Sequence, residues 1–529
     1  MYFSISFLNK MAETQKLRKE LSLVQLTIIG LVGAVGTGVL FASTGMAALA
    51  GPAIIIAWIL GAVFYLFIGL TYYELSTTYP EAGGPTRYSL YTHGRFTNII
   101  NAFGDLIWYL FIPPIEALAT VEALSFFFPI LINSSDVPTI FGAGLGVVLM
   151  LLFIPFNYFG VKPFGKATKY FGIIKLIFYA LVVIGIASIF FRPGNFTNYS
   201  GFAPFGFAGI FAAVPLAMFA FGGIRVVPDY AEETSKKHNI NNNIVKKSLL
   251  YTIFGQSILY IAFAVVFIGG ISWAHLGIAT GNWAGLSSVS GNPFVDIAGY
   301  LHSHILLALV LLVAIVGPFV TGYVYVGGGS RILFAMGRSK IVSSKVKQLS
   351  KDYAVPYIAL IIFAIIGAIV AYISAPLPTI YGLLTDAVVA GYIGFAVNPV
   401  AMIVSRRQGI TKKTNMLPGG TAIAALAFIS ASLIVFWSGW ITVSYSVLLI
   451  TIGVVVFSII SKIKQHVFNS FWYIFYILFL LLMTYINYIY SKSFIGNFYL
   501  DSLIVAVVAI ALFFPWGIYS GLKKQFLLK

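Results

Sequence analysis

Fourteen long apolar runs, separated by short polar stretches that hold most of the charge, leave this chain few ways to fold. Hydrocarbon offers no water to backbone N–H and C=O groups, so about 20 apolar residues lying in it must be α-helical. The runs occupy residues 23–50, 53–73, 103–131, 139–159, 170–190, 207–227, 249–271, 305–335, 357–373, 380–404, 421–437, 443–460, 472–488 and 503–519. Composition agrees: 60% of residues are hydrophobic and 9% charged, whereas a soluble domain carries about 25% charged residues to keep its surface solvated. The sequence predicts an all-α polytopic membrane protein, with the lipid bilayer as its largest partner.

The formal net charge is +17, and its distribution argues against nucleic acid. Of the 32 Lys and Arg residues, 28 fall in the N-terminal tail and in every second loop thereafter. They include Lys16, Arg18 and Lys19, then Arg87 and Arg95, Lys162 and Lys166, and Arg338 and Lys340. Cytoplasmic loops carry such an excess, which puts both termini in the cytoplasm of a multi-pass protein of the cell membrane. The Asn- and Lys-rich stretch 234–247 reads as a solvated loop. Three Asn-x-Ser/Thr triplets, at Asn133, Asn195 and Asn198, fall in loops assigned to the exterior. The first run is too long for a signal peptide, and Met11 offers an alternative start that leaves the fold expectation unchanged.

Two of the runs carry glycine clusters. The first reads Gly33-Ala-Val-Gly36-Thr37-Gly38, and the sixth reads Phe219-Ala220-Phe221-Gly222-Gly223-Ile224-Arg225. If ten helices form two sets of five, these are the first helix of each set. Glycine also allows close helix packing, but clusters at corresponding positions of two halves point to broken helices around a central binding site. A break at mid-membrane frees amide donors at one half-helix and carbonyls at the other, and a zwitterionic amino acid supplies a partner for each.

These residues carry a family resemblance. Gly36-Thr37-Gly38, followed by Val39-Leu40-Phe41, resembles the first-helix signature of the amino acid–polyamine–organocation (APC) permeases. Pro80-Glu81-Ala82-Gly83-Gly84 resembles their loop after the second helix, residues 217–223 with Ala231-Glu232-Glu233-Thr234 their sixth helix and following loop, and Ser330-Arg331 the end of their eighth. The resemblance implies a LeuT-like fold of two inverted five-helix repeats with alternating access. The repeats would be 23–190 and 207–404, within a core of 23–405. The tail 1–22 would precede it, and about four additional helices would follow in 406–529, more than most relatives carry. It further implies that Gly36, Thr37 and Gly38 offer amides or a hydroxyl to a substrate carboxylate. Carbonyls near Val35, Phe219, Ala220 and Gly222 would receive the ammonium, and Phe219 or Phe221 would close over the substrate.

A charge inside the bilayer rarely faces lipid, so each one is a functional candidate. Lys175, near the start of the fifth run, either snorkels to the cytoplasmic surface or, as the resemblance implies, stands in for a coupling sodium ion and exchanges a proton. Arg225 lies just past the sixth-helix cluster and has two readings. It binds an acidic substrate side chain, or it pairs with an internal carboxylate, for which Glu116 is the first candidate and Glu122 the second. Asp105 and Glu116 lie eleven residues apart on one helical face. Asp386, in the tenth run, is a further relay or cavity-lining candidate.

Other chemistries find no support. Gly160-Val-Lys-Pro-Phe-Gly165-Lys166-Ala167 matches most of a phosphate-binding loop but lacks the Ser/Thr for magnesium, and it reads as a basic cytoplasmic loop. There is no cysteine, and the six histidines form no metal-ligand pattern. No enzyme activity, cofactor or metal is expected. The sequence reads as a secondary transporter of amino acids, proton-coupled. An exchanger of the same fold, or a transporter-derived sensor or channel, is the alternative. The sequence carries no signal for oligomeric state.

Overall fold

The first apolar run folds as two helices rather than one: α1 (Leu23–Ala34) and α2 (Thr37–Ala50), with Val35 and Gly36 between them outside helical geometry. The structure is a computed structural model and describes residues 16–235, 244–289, 292–376, 389–460, 467–490 and 497–527. A turn of 3-10 helix at Gly51–Ala53 leads into α3 (Ile54–Thr78). A short α4 (Gly84–Thr92) then crosses to α5 (Arg95–Ser125), which stays helical through Pro113 and Pro114. Next come α6 (Ile140–Tyr158) and α7 (Val161–Ile189).

The sixth run is α8 (Gly206–Phe221), a 3-10 turn at Gly222–Arg225, and a last turn α9 (Val226–Asp229). Beyond it lie α10 (Ile244–Gly270), α11 (Pro293–Tyr300), the long α12 (His304–Arg338), α13 (Tyr357–Ser374) and α14 (Val397–Arg407). The chain continues through α15 (Gly420–Trp437), α16 (Trp440–Ile460) and α17 (Phe471–Tyr490). It ends with α18 (Phe498–Val508), a π-helical turn Ala509–Phe513, and α19 (Phe514–Leu527).

Among the described residues, thirteen helical stretches are long and apolar enough to cross a membrane, and the chain is a multi-pass membrane protein. The first of them, Thr37–Thr78, takes in the second half of the first predicted run and all of the second. Large side chains left exposed, such as Ile140, Ile258, Ile305 and Ile373, are apolar and suit contact with lipid.

Two expectations are corrected. The segment 160–167, read as a basic loop, is from Val161 onward the first part of α7: Gly160 turns the chain with φ +101°, and Lys162 and Lys166 project outward. Asn195, in the turn Pro193–Phe196 between α7 and α8, is buried and donates to the carbonyls of Ile268 and Ile271 at 2.8 and 3.0 Å. The sixth helix tightens to a 3-10 turn where it was expected to open like the first. Part of the predicted tenth run, with Asp386, lies outside the described residues.

The two interrupted helices meet back to back. A Cβ added at Gly223 would fall 2.5 Å from the Cα of Ala34, the last residue of α1, and one at Gly38 would fall 3.1 Å from the Cβ of Ala220. The helices after the tenth run pack onto the core: Nε2 of His93, just after α4, lies 2.9 Å from the carbonyl of Gly517 on α19. Thr97 and Ser470 hydroxyls meet at 2.6 Å.

Overpacking such a contact destabilises by about 1–3 kcal/mol. Gly223→Val is therefore expected to lower the melting temperature of the purified chain, while Gly144→Val, whose Cβ would meet nothing within 4 Å, leaves it near wild type. Equal melting temperatures for the two variants would contradict the close approach.

Candidate functional site

The break after α1 leaves the first amides of α2 without helical acceptors at mid-membrane, and a helix start carries partial positive charge. Glu116 on α5 meets that need. Its carboxylate accepts from the Thr37 amide at 3.2 Å to both oxygens and from the Thr37 hydroxyl at 3.1 Å. Gly36 has to be glycine here, because a Cβ would run into the Glu116 carboxylate. The carboxylate thus sits on Thr37, within the run where the resemblance to the APC permeases implies a substrate carboxylate.

The carbonyl end of the break is held by Lys175. Its ammonium donates to the carbonyls of Val32 (3.0 Å) and Gly317 (2.7 Å) and to the Thr321 hydroxyl (2.8 Å). Thr321 in turn donates to the Val32 carbonyl at 2.7 Å, and the Tyr179 hydroxyl reaches the Gly36 carbonyl at 3.3 Å. Lys175 is 1% exposed, so it does not snorkel. It bonds α7 to α1 and α12. Thr321 and Tyr179 escaped sequence reasoning; Pro318, which interrupts the hydrogen-bond ladder of α12, was a local signal that could have drawn attention to Thr321.

On the opposing helix the expected residues divide. The Ala220 carbonyl accepts from Tyr260 at 2.7 Å. Phe221 is buried, stacked on Tyr65 and edge-on to Trp58 and Tyr260, as a packing residue would be. Phe219 instead lines a cavity of about 300 Å³ with Pro215, Leu216, Tyr392 and Trp437, on the side away from the basic loops. Gly222 packs against Trp108, whose Cζ2 an added Cβ would meet at 2.3 Å.

Arg225 is fully buried, and it pairs with Asp105, with neither Glu116 nor Glu122. The internal pair was expected; its partner is corrected. Eleven residues of helix put Asp105 and Glu116 on one face but about 16 Å apart along the axis. Asp105 is level with the 3-10 turn that carries Arg225, and Glu116 is level with the start of α2. Asp105 also accepts from Thr86 at 3.0 Å.

A family model for amino acid permeases matches residues 25–438. The chain belongs to that family. It is 31% identical to a Bacillus subtilis (strain 168) protein named aspartate-proton symporter, over 97% of this chain and 99% of the relative. It is 30% identical to the glutamate/serine transporter AimA of the same organism, over 97% of this chain and 96% of the relative. A branched-chain amino acid permease, BcaP, is 23% identical over 85% and 94%. These relatives are transporters, and the permease is not an enzyme.

The permease is latched on the side of its basic loops. Arg331 on α12 holds Glu233 through both carboxylate oxygens, one at 2.8 Å, and its guanidinium lies 3.9 Å above the Tyr230 ring. Arg338 holds Glu232 at 2.6 and 3.0 Å, and the Ala82 amide reaches Glu232 at 2.9 Å. The N-terminal tail joins by main chain: the amides of Glu20 and Leu21 donate to the Glu233 carbonyl at 2.9 and 3.0 Å, and the Ser235 amide donates to Leu21 at 2.9 Å. Burial raises the pKa of Glu232, but hydrogen bonds from Arg338 and Ala82 and the charges of Arg338 and Lys19 outweigh it and hold the carboxyl below its ordinary value. A depressed carboxyl stabilises above its unfolded pKa, so this contribution is lost as pH falls through the folded value.

Glu232, Glu233 and Arg331 come from segments that carried the family resemblance, while Arg338 and the N-terminal tail do not, and the pairing was not legible from spacing. Breaking a buried pair by removing one partner costs about 3–5 kcal/mol. The absence of cysteine makes a single introduced thiol a unique reporter. Ala335 is fully buried beside Gly83. In an A335C background, Glu233→Gln is expected to speed maleimide labelling by about tenfold or more; an unchanged rate would show that Arg331–Glu233 does not hold this face shut.

Proposed function

We propose that the permease is a proton-coupled amino acid symporter of the cell membrane, with both termini cytoplasmic. The repeats 23–190 and 207–404 would alternate access around the break at Val35–Gly36. The observation that carries this reading is Glu116 seated on the Thr37 amide and hydroxyl.

The donors at the start of α2 suit a carboxylate, and an incoming substrate carboxylate needs the same ones. Two carboxylates side by side in a low-dielectric interior repel strongly. Substrate therefore binds only as Glu116 leaves or takes up a proton, which ties the two species together. Lys175 supplies the second half of the coupling. As an ammonium it has three protons to give to Val32, Gly317 and Thr321. As a neutral amine it has two, and α1 loses part of its attachment to α12.

Gly38 and the carbonyls of Val35 and Gly222 flank the place a bound amino acid would take, with Phe219 on its outer side. Arg225 is committed to Asp105 in this state; exchange of that partner for a substrate carboxylate would select an acidic amino acid. The names of the two relatives at 31% and 30% identity, an aspartate-proton symporter and a glutamate/serine transporter, favour a small polar or acidic substrate.

In proteoliposomes with an imposed proton gradient, uptake of labelled aspartate, glutamate or serine should rise with external acidity. Lys175→Ala should remove that pH dependence. Full pH dependence in the variant would refute the role of Lys175. Counterflow in the absence of any proton effect would identify an exchanger instead.

A further inference from the structure

The helix that carries Lys175 has a second polar feature on its opposite side. α7 contains no Asp or Glu. Lys162, Lys166, Tyr170, Ile173, Ile177 and Ile184 are all exposed, and they recur at spacings of three, four or seven, so they form one stripe. From Tyr170 to Ile189 the helix rises about 28 Å, close to the thickness of the hydrocarbon core. Tyr170 therefore stands at the membrane interface, where aromatic side chains settle, with Phe159 and Phe171 also exposed there. Lys166 lies about 6 Å beyond it, in the headgroup layer, and Lys162 one turn further out. Both lysines point the way the lipid-facing isoleucines point.

Neither lysine enters any ion pair among the described residues. The residues between them occupy the inward side: Phe164 stacks on Tyr230 with centroids 5.4 Å apart, and a Cβ on Gly165 would fall 2.7 Å from Leu21. That contact lays the N-terminal tail along the start of α7. Exposed Arg18 of the tail donates to the backbone carbonyl of Asp352, and the next carbonyl, of Tyr353, lies 3.4 Å from where a Cβ of Gly160 would be. The three adjoining segments, 16–22, 160–170 and 351–353, hold seven Lys or Arg and two carboxylates. A positive patch that opens sideways at headgroup depth, above an exposed apolar stripe, complements an anion with an apolar tail. A soluble anion would leave the stripe unused.

We propose that the lipid-facing start of α7 is a binding site for an anionic phospholipid. Its phosphate is held by Lys162 and Lys166 with Arg18 at the rim, and its acyl chains run along Tyr170, Ile173 and Ile177. The site lies on the face of α7 away from Lys175 and does not depend on the proton coupling proposed above.

The chain has no cysteine, so a single introduced thiol can report which lipid sits there. Phe171→Cys is labelled with bimane in the full-length permease, in phosphatidylcholine nanodiscs that contain a small fraction of brominated lipid. Brominated phosphatidylglycerol should quench with an association constant about fivefold or more above that of brominated phosphatidylcholine. Lys162→Gln combined with Lys166→Gln should bring the two lipids level, and arginine at both positions should retain the preference. Lys345→Gln combined with Lys347→Gln, in the exposed turn Ser344–Lys347 that packs on α12 and α13, should leave the preference intact. A label at Ile184→Cys, towards the other end of the stripe, should show none. Equal quenching by the two lipids at position 171 would overturn the proposal. So would a preference that survives the double glutamine variant of α7, or one lost as fully in the Lys345 and Lys347 variant, which would mark a diffuse attraction to the basic side.

Discussion

The interruption of the first helix at Val35 and Gly36 is the constraint around which the rest of the core is arranged. A helix broken in hydrocarbon exposes donors on one side and acceptors on the other, and neither finds water. The structure answers with one anion and one cation from different helices: Glu116 covers the donors of α2, and Lys175 covers the carbonyls that end α1. Each charge would be intolerable alone, and each is buried because the break needs it. α5, α7 and α12 are thereby fixed to the break by polar contacts, in a membrane where the hydrophobic effect does not drive helices together.

The same logic separates the two Arg residues of the interior by depth. Arg225 is neutralised by Asp105 one helix away, and Arg331 by Glu233 at the basic face. Between them Asp229 takes a hydrogen bond from Tyr109, and its backbone carbonyl one from the Gly83 amide at 3.0 Å. These contacts link α5, α9, α12 and the loop after α3 into a closed plug beneath the break. Across the molecule, Phe219 faces a cavity on the other side. The conformation is sealed more heavily on the basic side.

Much of this was legible in the sequence, for identifiable reasons. Length and hydropathy mark spans without ambiguity because the bilayer thickness is fixed, and glycine clusters mark breaks because no other residue lets a helix backbone come so close to a neighbour. Lys175 stood out because a charge in a span is rare. Its partners did not, since Val32 and Gly317 act through backbone carbonyls that any residue carries. The partner of Arg225 was misassigned because a shared helical face says nothing of depth. The loop assigned to 160–167 failed because the charges of an amphipathic helix start look, in one dimension, like those of a loop. The 3-10 form of the sixth helix has no composition signal: the same Gly-Gly pair serves a gap or a tight turn.

The N-terminal tail is tied to residues 233–235 through peptide groups, in a short parallel pairing of Leu21 with Thr234, and by the buried side chains of Leu17 and Leu21. A peptide bond is common to all amino acids, so those hydrogen bonds depend on register and not on side-chain identity, apart from the buried Leu17 and Leu21 that pack beneath them. Evolution is free to rewrite most of those side chains, but a deletion of one or two positions would shift the register and unfasten the door.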